Sequence, residues 1–326
     1  MSCPNCHADV EIFVDEYRFN IEYDREYFGS PKIVQCETCQ LCYCYPMPDN
    51  EKLHNYYTSI YRSKGRSHWF DQNSPPQPQM RHKSYISSLT NYIKPSDINL
   101  IYEIGPGPGE MGSLLKEVAP HAKIKCSELD QFSSSTLNAR GYQMVESSTE
   151  IENQADIVMG LHCLEHFSDI DNFFELVENA IKSNGLILVE VPNCPFNGGY
   201  KDRTYDSPHT LFFTQETLQN TFKSRGYEIL LSSTEGASFK KQFHITQLWK
   251  NLFGNWTPNQ PHQQGANRII SLLKQTIRKG LPAQVFEGLR TIIKGKNIQT
   301  DDEYYIHNRS DSWLIRILAR KNNKNL

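Results

Sequence analysis

Between residues 98 and 236, short runs rich in β-branched and aromatic residues alternate with stretches whose apolar positions recur at helical spacing. The strands predicted from this pattern are 100–104, 122–126, 142–146, 155–159, 186–191 and 227–232, with a last one at 312–320. Helices are predicted between them at 110–118, 131–140, 170–182 and 215–225, and a further helical pattern runs from about 80 to 93. Alternation of this kind builds a parallel sheet covered by helices, so the fold class is α/β. Two stretches break the rhythm. Residues 46–78 carry several prolines, ending in Ser74-Pro75-Pro76-Gln77-Pro78, and read as a linker; residues 237–311 separate the last two strands.

The first strand, Leu100-Ile101-Tyr102-Glu103-Ile104, runs into Gly105-Pro106-Gly107-Pro108-Gly109 and then into a helix. Glycines there allow a sharp turn and a close approach of backbone to ligand, and nucleotide-like ligands occupy the crevice beyond such strand ends. Glu128 closes the second strand roughly twenty residues later, where an acid accepts hydrogen bonds from ribose hydroxyls. The alternative for Glu128 is an acid that complements the dipole of the next helix.

Two Cys-x-x-Cys pairs, Cys3/Cys6 and Cys36/Cys39, stand near the N-terminus. Structural zinc takes four thiolates in a tetrahedron and each pair supplies two, which makes these four the candidate metal ligands, with reduced thiols as the alternative. A β-ribbon across 11–23 is expected between the pairs. Cys42 and Cys44, alternating with Tyr43 and Tyr45, read as strand residues with core or surface thiols.

Together these residues resemble the class I S-adenosylmethionine-dependent methyltransferases. Glu103 to Gly109 looks like the first motif of that family, with glycines at the first, third and fifth positions of the turn rather than the first, third and sixth of the dinucleotide fingerprint. Leu164-Glu165-His166, the run from Asn184 to Pro192, and His209 with Phe212-Phe213-Thr214 resemble its later motifs. The resemblance implies a Rossmann-like seven-stranded methyltransferase sheet. It places Glu103, Gly105, Gly107, Gly109, Glu128, Leu129 and His162 around S-adenosylmethionine. At the N-terminus, Cys36 and Cys39, Pro46 and Pro48, Tyr56-Tyr57 and Tyr61 resemble bacterial small-molecule methyltransferases, of which sugar C-methyltransferases are an example. That subgroup has Gly after its second cysteine pair where this chain has Gln40. It also has a C-terminal domain that this chain replaces with the insertion and a last strand, so its substrate does not carry over.

Methyl transfer needs an oriented acceptor and often a base near neutral pKa, which favours histidine. His209 and His166 are the candidates. The resemblance implies His209, although Pro208 stands where the relatives carry an acid. Tyr205 and Asp206 are secondary acceptor-binding candidates.

Composition then narrows the partners. The net charge is -3. Residues 240–300 hold ten Lys and Arg against one acid, Glu287, a local +9 that leaves -12 on the rest. An acidic body disfavours a nucleic-acid substrate, and an RNA methyltransferase is the alternative enzyme; a non-catalytic binding protein of the same fold is the alternative outside enzymes. The insertion places Ile269, Leu273 and Ile277 on one helical face, which fits a lid, a homodimer surface or a peripheral membrane contact. With no long apolar run and no leader pattern, the expected location is cytoplasmic, with contact at the inner membrane face through 240–300. The expected layout is a zinc-binding module at 1–50, a linker at 51–79, a methyltransferase domain at 80–236 and 312–326, and a basic helical insertion at 237–311. The expected acceptor is a small molecule or glycan, plausibly a nucleotide- or lipid-linked sugar, methylated on oxygen or carbon.

Overall fold

The computed structural model describes residues 2–9, 11–63, 80–196, 204–205, 208–238 and 312–321. The proline-rich run, Asp206 and nearly all of the basic insertion lie outside these residues.

The N-terminal part is a small antiparallel sheet. Strand β1 (Glu11–Glu16) is followed by β2 (Arg18–Phe19), helix α1 (Glu22–Phe28), β3 (Lys32–Cys36) and β4 (Cys42–Tyr45). β3 pairs with both β1 and β4. The ribbon expected across 11–23 is not formed: β1 pairs with β3, β2 pairs in parallel with Thr204–Tyr205, and Glu22 and Tyr23 open α1. Cys42 and Cys44 are buried on β4, as their alternation implied.

Helix α2 (Asn50–Asn55) starts at Asp49, whose side chain accepts from the Lys52 N–H at 2.7 Å. It continues as a π-helical turn, Tyr56–Ile60. This corrects the reading of 51–79 as linker from its first residue. Leu53 and Tyr56 are buried one turn apart, and Tyr56 Oη donates to the buried Asp24 carboxylate at 2.5 Å. So short an element shows too little periodicity for the sequence to reveal it.

The rest follows the predicted alternation: α3 (Met80–Thr90), β5 (Leu100–Ile104), α4 (Glu110–Val118), β6 (Lys123–Ser127), α5 (Ser134–Ala139), β7 (Tyr142–Met144), β8 (Ala155–Leu161), α6 (Ile170–Ala180) and β9 (Ile181–Pro192). Two short strands, β10 (Thr204–Tyr205) and β11 (Leu211–Phe212), precede α7 (Gln215–Ser224), β12 (Tyr227–Ser238) and β13 (Ser312–Lys321). The large sheet has the order β12-β13-β9-β8-β5-β6-β7. Strands β7, β6, β5, β8 and β9 run parallel, and β13 is antiparallel to both β9 and β12. Every residue of β5 is buried, as expected of a central parallel strand covered on both faces. Asp169 and Thr214 cap α6 and α7 by accepting backbone N–H bonds. The seven-stranded α/β sheet is as the sequence implied. No helix among the described residues is long and apolar enough to cross a membrane.

Two features join distant parts of the chain. First, β11 adds to β4, so the small sheet has the order β1-β3-β4-β11 and the N-terminal part is hydrogen-bonded to the segment before α7. Second, Arg316 on β13 is fully buried and pairs with Glu190 at 3.0 Å and Glu235 at 2.9 Å. Its guanidinium lies 4.0 Å from the centre of the Tyr85 ring and donates to Ser84 Oγ at 2.7 Å, which fixes α3 against the antiparallel edge.

Removing a buried cation strands its carboxylates, a loss of roughly 3–5 kcal/mol. Arg316→Ala is expected to lower the urea stability by that amount. Unfolding midpoints within 0.5 kcal/mol of the wild type, about the scatter of surface substitutions, would show the cluster to be incidental.

Candidate functional site

The parallel strands part between β5 and β8: from β5 the chain goes to β6 on one side, and later to β8 on the other. A crevice opens there beyond the strand ends. In this protein it is a cavity of about 690 Å³, lined by the glycine turn, the end of β6 and the loop after β8. The segment 50–62 lines the opposite side with Tyr57, Tyr61 and Arg62.

The turn residues divide their tasks. Gly105 and Gly107 line the cavity at φ of +61° and +54°, in the left-handed region that side chains with a Cβ avoid. A Cβ on Gly105 would stand 2.8 Å from Cys163 Sγ, whereas at Gly107 the nearest atom is 3.7 Å away. Gly107 thus keeps its backbone open to a ligand. Gly109 does not line the cavity among the described residues; it starts α4, and a Cβ there would lie 2.7 Å from both Leu137 and Tyr142. Close packing is thus one reason for a glycine here, beside the ligand role that the resemblance implies.

Glu103, at the end of β5, is buried and accepts from Tyr142 Oη at 2.6 Å. Burial pushes its pKa up to about 7, against the Tyr142 and Gly112 hydrogen bonds that pull it down. Glu128 accepts from the Gly107 N–H at 2.8 Å and the Asp130 N–H at 2.9 Å. Its pKa is also raised by burial. Glu128 therefore braces the glycine turn while lining the cavity, rather than merely opening a helix. Arg62 reaches across from the N-terminal part to Asp130 at 3.0 Å. Leu129 lines the same end and is 45% exposed.

At the other end stand three histidines. His162 has a left-handed backbone, φ +54°, and donates its N–H to the Glu190 carbonyl. Burial lowers its pKa, but the Glu165 and Glu190 carboxylates, 3.5 and 3.4 Å away, outweigh this and hold it up to about 9. His166 lines the cavity; its Nδ1 is 2.8 Å from Tyr57 Oη and 3.2 Å from the Pro208 carbonyl. His209 does not line the cavity among the described residues. It packs edge-on behind His166, with ring centres 5.0 Å apart. That corrects the preference for His209 as the group facing a substrate, because the β4–β11 pairing draws the His209 segment toward the N-terminal sheet. Tyr205, a secondary candidate, is likewise buried and absent from the lining, packed on His209 and Phe212.

The four cysteines of the two pairs meet. Cys3 Sγ lies 3.6 Å from Cys39 Sγ, and Cys6 Sγ 3.5 Å from Cys36 Sγ. Four thiolates about 2.3 Å from one zinc stand about 3.8 Å apart, so the cluster fits that ion. The hydrogen bond from Cys3 holds the Cys39 thiol down to about 4, and the same contact raises Cys3, so one sulfur of this pair is thiolate first. His7 and Gln40, each following a pair, both have positive φ, +58° and +63°. A glycine would adopt the backbone at the second place freely, and Gln40 meets it under strain.

Tyr57, Tyr61, Arg62 and Tyr85 line the cavity and were not singled out as site residues. The paired tyrosines were visible in the resemblance, but nothing local to 56–62 said which surface they would face. Cys163, and Glu165 beside it, were likewise passed over within the histidine loop.

The pKa of Glu103 carries a pH test in the ligand-free protein. Its folded value, about 7, lies above the ordinary 4.5. Its contribution to stability is therefore full below about pH 4.5 and lost as the pH rises through 7. Glu103→Gln keeps the Tyr142 acceptor and removes the penalty. It should stabilise the protein by on the order of 1–3 kcal/mol at pH 8 and hardly at all at pH 4. Equal effects at both pH values in urea titrations would rule this out.

Comparison with known proteins follows the same ground. Residues 79–232 match the family model of a methyltransferase domain. No curated protein sequence matches the chain. Solved structures similar to it include phosphoethanolamine N-methyltransferase 2 of Haemonchus contortus in complex with S-adenosyl-L-methionine, at 12% identity over 96% of this chain and 69% of that one, with a TM-score of 0.47. Another is a SAM-dependent methyltransferase from Archaeoglobus fulgidus, at 17% identity over 84% of this chain and 100% of that one, with a TM-score of 0.41. The stretch that holds the glycine turn, both carboxylates and the histidine loop lies within the residues that match this methyltransferase-domain model.

Proposed function

We propose that the protein transfers a methyl group from S-adenosylmethionine to a small-molecule or glycan acceptor. The observation that carries this reading is a match to a methyltransferase-domain model over 79–232 together with a cavity at the strand switch, where Gly105, Gly107, Glu103 and Glu128 converge. When bound, the cofactor supplies an electrophilic methyl on a sulfonium. Glu103 would meet its cationic amino group, which restores the carboxylate charge that burial disfavours. Glu128 would turn toward the ribose hydroxyls from its place beside Gly107. The closely set Gly107 backbone admits the ligand without a side chain in the way.

The acceptor belongs at the histidine end. There Tyr57 orients His166, whose ring is one of the polar groups that line the cavity. Aromatic rings of Tyr57, Tyr61 and Tyr85 wall that space, and such walls suit a ring or chain of limited size better than a polymer. The acidic charge outside the basic insertion speaks in the same direction, against nucleic acid.

The N-terminal thiols are read as a structural zinc site on Cys3, Cys6, Cys36 and Cys39, supported by their spacing. The zinc would fix the turns at His7 and Gln40 and so hold the sheet that carries β11.

Calorimetry should detect S-adenosylhomocysteine binding, weakened at least tenfold by Gly107→Val, which forces a β-branched residue into a left-handed backbone, or by Glu128→Ala. Unchanged affinity in both variants would remove the cofactor from this site. Elemental analysis should find zinc in the wild type, with one equivalent lost from Cys36→Ser/Cys39→Ser. A folded, zinc-free wild type would overturn the thiolate site.

A further inference from the structure

Glu165 is the carboxylate that the reading above leaves without a task. It is 1% exposed, and neither of its oxygens has a hydrogen bond. Its nearest polar neighbours are imidazoles: His162 Nδ1 at 3.5 Å and His166 Nε2 at 4.0 Å, both measured to Oε1. One ligand atom each from Glu165, His166 and His209 lies within 4.8 Å of the others. A desolvated carboxylate whose oxygens make no hydrogen bond is costly, and the nearest ion-pair contact of this one is His162 at 3.5 Å.

His166 Nδ1 faces Tyr57 Oη at 2.8 Å and the Pro208 carbonyl at 3.2 Å, and its Nε2 lies on the side of Glu165. A histidine whose far nitrogen is tied to a backbone carbonyl is the arrangement that orients metal ligands. His209 is held by a different element, beside the β4–β11 pairing, and Thr210, the next residue, bonds the Glu165 carbonyl through both its N–H at 2.8 Å and its Oγ1 at 3.0 Å. The two halves of the cluster are thus clamped together by backbone contacts that do not involve the side chains in question.

We propose that Glu165, His166 and His209 form a second cation site, distinct from the thiolates, that takes a divalent transition metal such as Zn²⁺ or Mn²⁺. Ligand atoms about 2.0–2.1 Å from one tetrahedral ion stand about 3.3 Å apart, so the cluster needs to close by less than about 1.5 Å. Two imidazoles and one carboxylate are a nitrogen-and-oxygen set suited to zinc, manganese or iron, not to soft ions. Three protein ligands leave a position for water or an oxygen donor. Because His166 is in the cavity wall, the ion would sit next to the acceptor end, and the chemical class it would hold is a hydroxyl- or carboxylate-bearing acceptor. That last point rests on the methyltransferase reading; the metal site does not.

The test uses the full chain with its thiolate site loaded with zinc and no S-adenosylmethionine present. Mn²⁺ is the probe, since thiolates discriminate against it. The electron paramagnetic resonance signal of free Mn²⁺ should fall as about one equivalent binds, and pulsed spectra of the bound ion should show nitrogen coupling from histidine. Glu165→Gln and His209→Gln should each weaken Mn²⁺ binding at least tenfold while retaining the thiolate zinc. Absence of binding by both Mn²⁺ and a second equivalent of Zn²⁺, or bound Mn²⁺ without nitrogen coupling in the wild type, would overturn the site even if a variant failed to fold. Loss of cofactor binding in calorimetry with Mn²⁺ binding intact would instead refute the methyltransferase reading alone.

Discussion

Carboxylates that leave water must be neutralised by something, and this protein buries Glu103, Glu165, Glu190 and Glu235 in and around one sheet. Each is handled by a different device. Glu103 leans toward its protonated form beside a tyrosine. Glu190 and Glu235 share the fully buried Arg316. Glu165 is ringed by histidines. The consequences for architecture are large. Arg316 comes from β13, so it reaches the charge on β9 only when β13 has inserted between β9 and β12. His162 then links two of these groups by contacting Glu165 and Glu190 from a left-handed backbone. Strain and buried charge concentrate in one loop at the strand ends, which is where functional sites keep them.

The legible part of the chain was the part governed by local rules. Strand 100–104, the glycine turn and the acid after β6 follow from a continuous apolar run, residues without a Cβ and a fixed spacing. The four thiols were legible for the same reason, since two short turns bring each pair together regardless of what lies between. The buried cluster on Arg316 was not, because its partners Ser84, Glu190 and Glu235 are remote in sequence and nothing in the run 312–320 marks one arginine as internal. Helix 50–60 was hidden by its length and by the prolines before it. His209 was found as a residue but misplaced, since its position depends on β11 joining a sheet whose other strands lie within the first 45 residues. Gly109 belongs to the same motif, and its close packing against Leu137 and Tyr142 could not be read from the turn itself.

The placement of that N-terminal sheet gives the thiol cluster a reach beyond its own fold. β4 pairs with β11, and the Cys44 N–H bonds the Thr210 carbonyl at 2.9 Å. Thr210 in turn holds the Glu165 carbonyl, and Pro208 and Tyr57 hold His166. On the far side of the domain, Arg225 donates to the side chain and carbonyl of Asn5, between the first cysteine pair, and to Asp171 on α6. The N-terminal part is therefore attached at both the cavity and the back of the sheet. Its cysteines would not need to touch a substrate to matter for one: whatever orders them orders β4, then the segment from Pro208 to Phe212, then the imidazole that faces the cavity. An N-terminal module tied to the core by solvent-exposed contacts alone would leave the histidine end free to move relative to the glycine turn. Here the backbone pairing fixes both ends of the cavity on one frame, so the groups at its two ends keep their spacing, which is what the proposed direct transfer between two bound molecules would require.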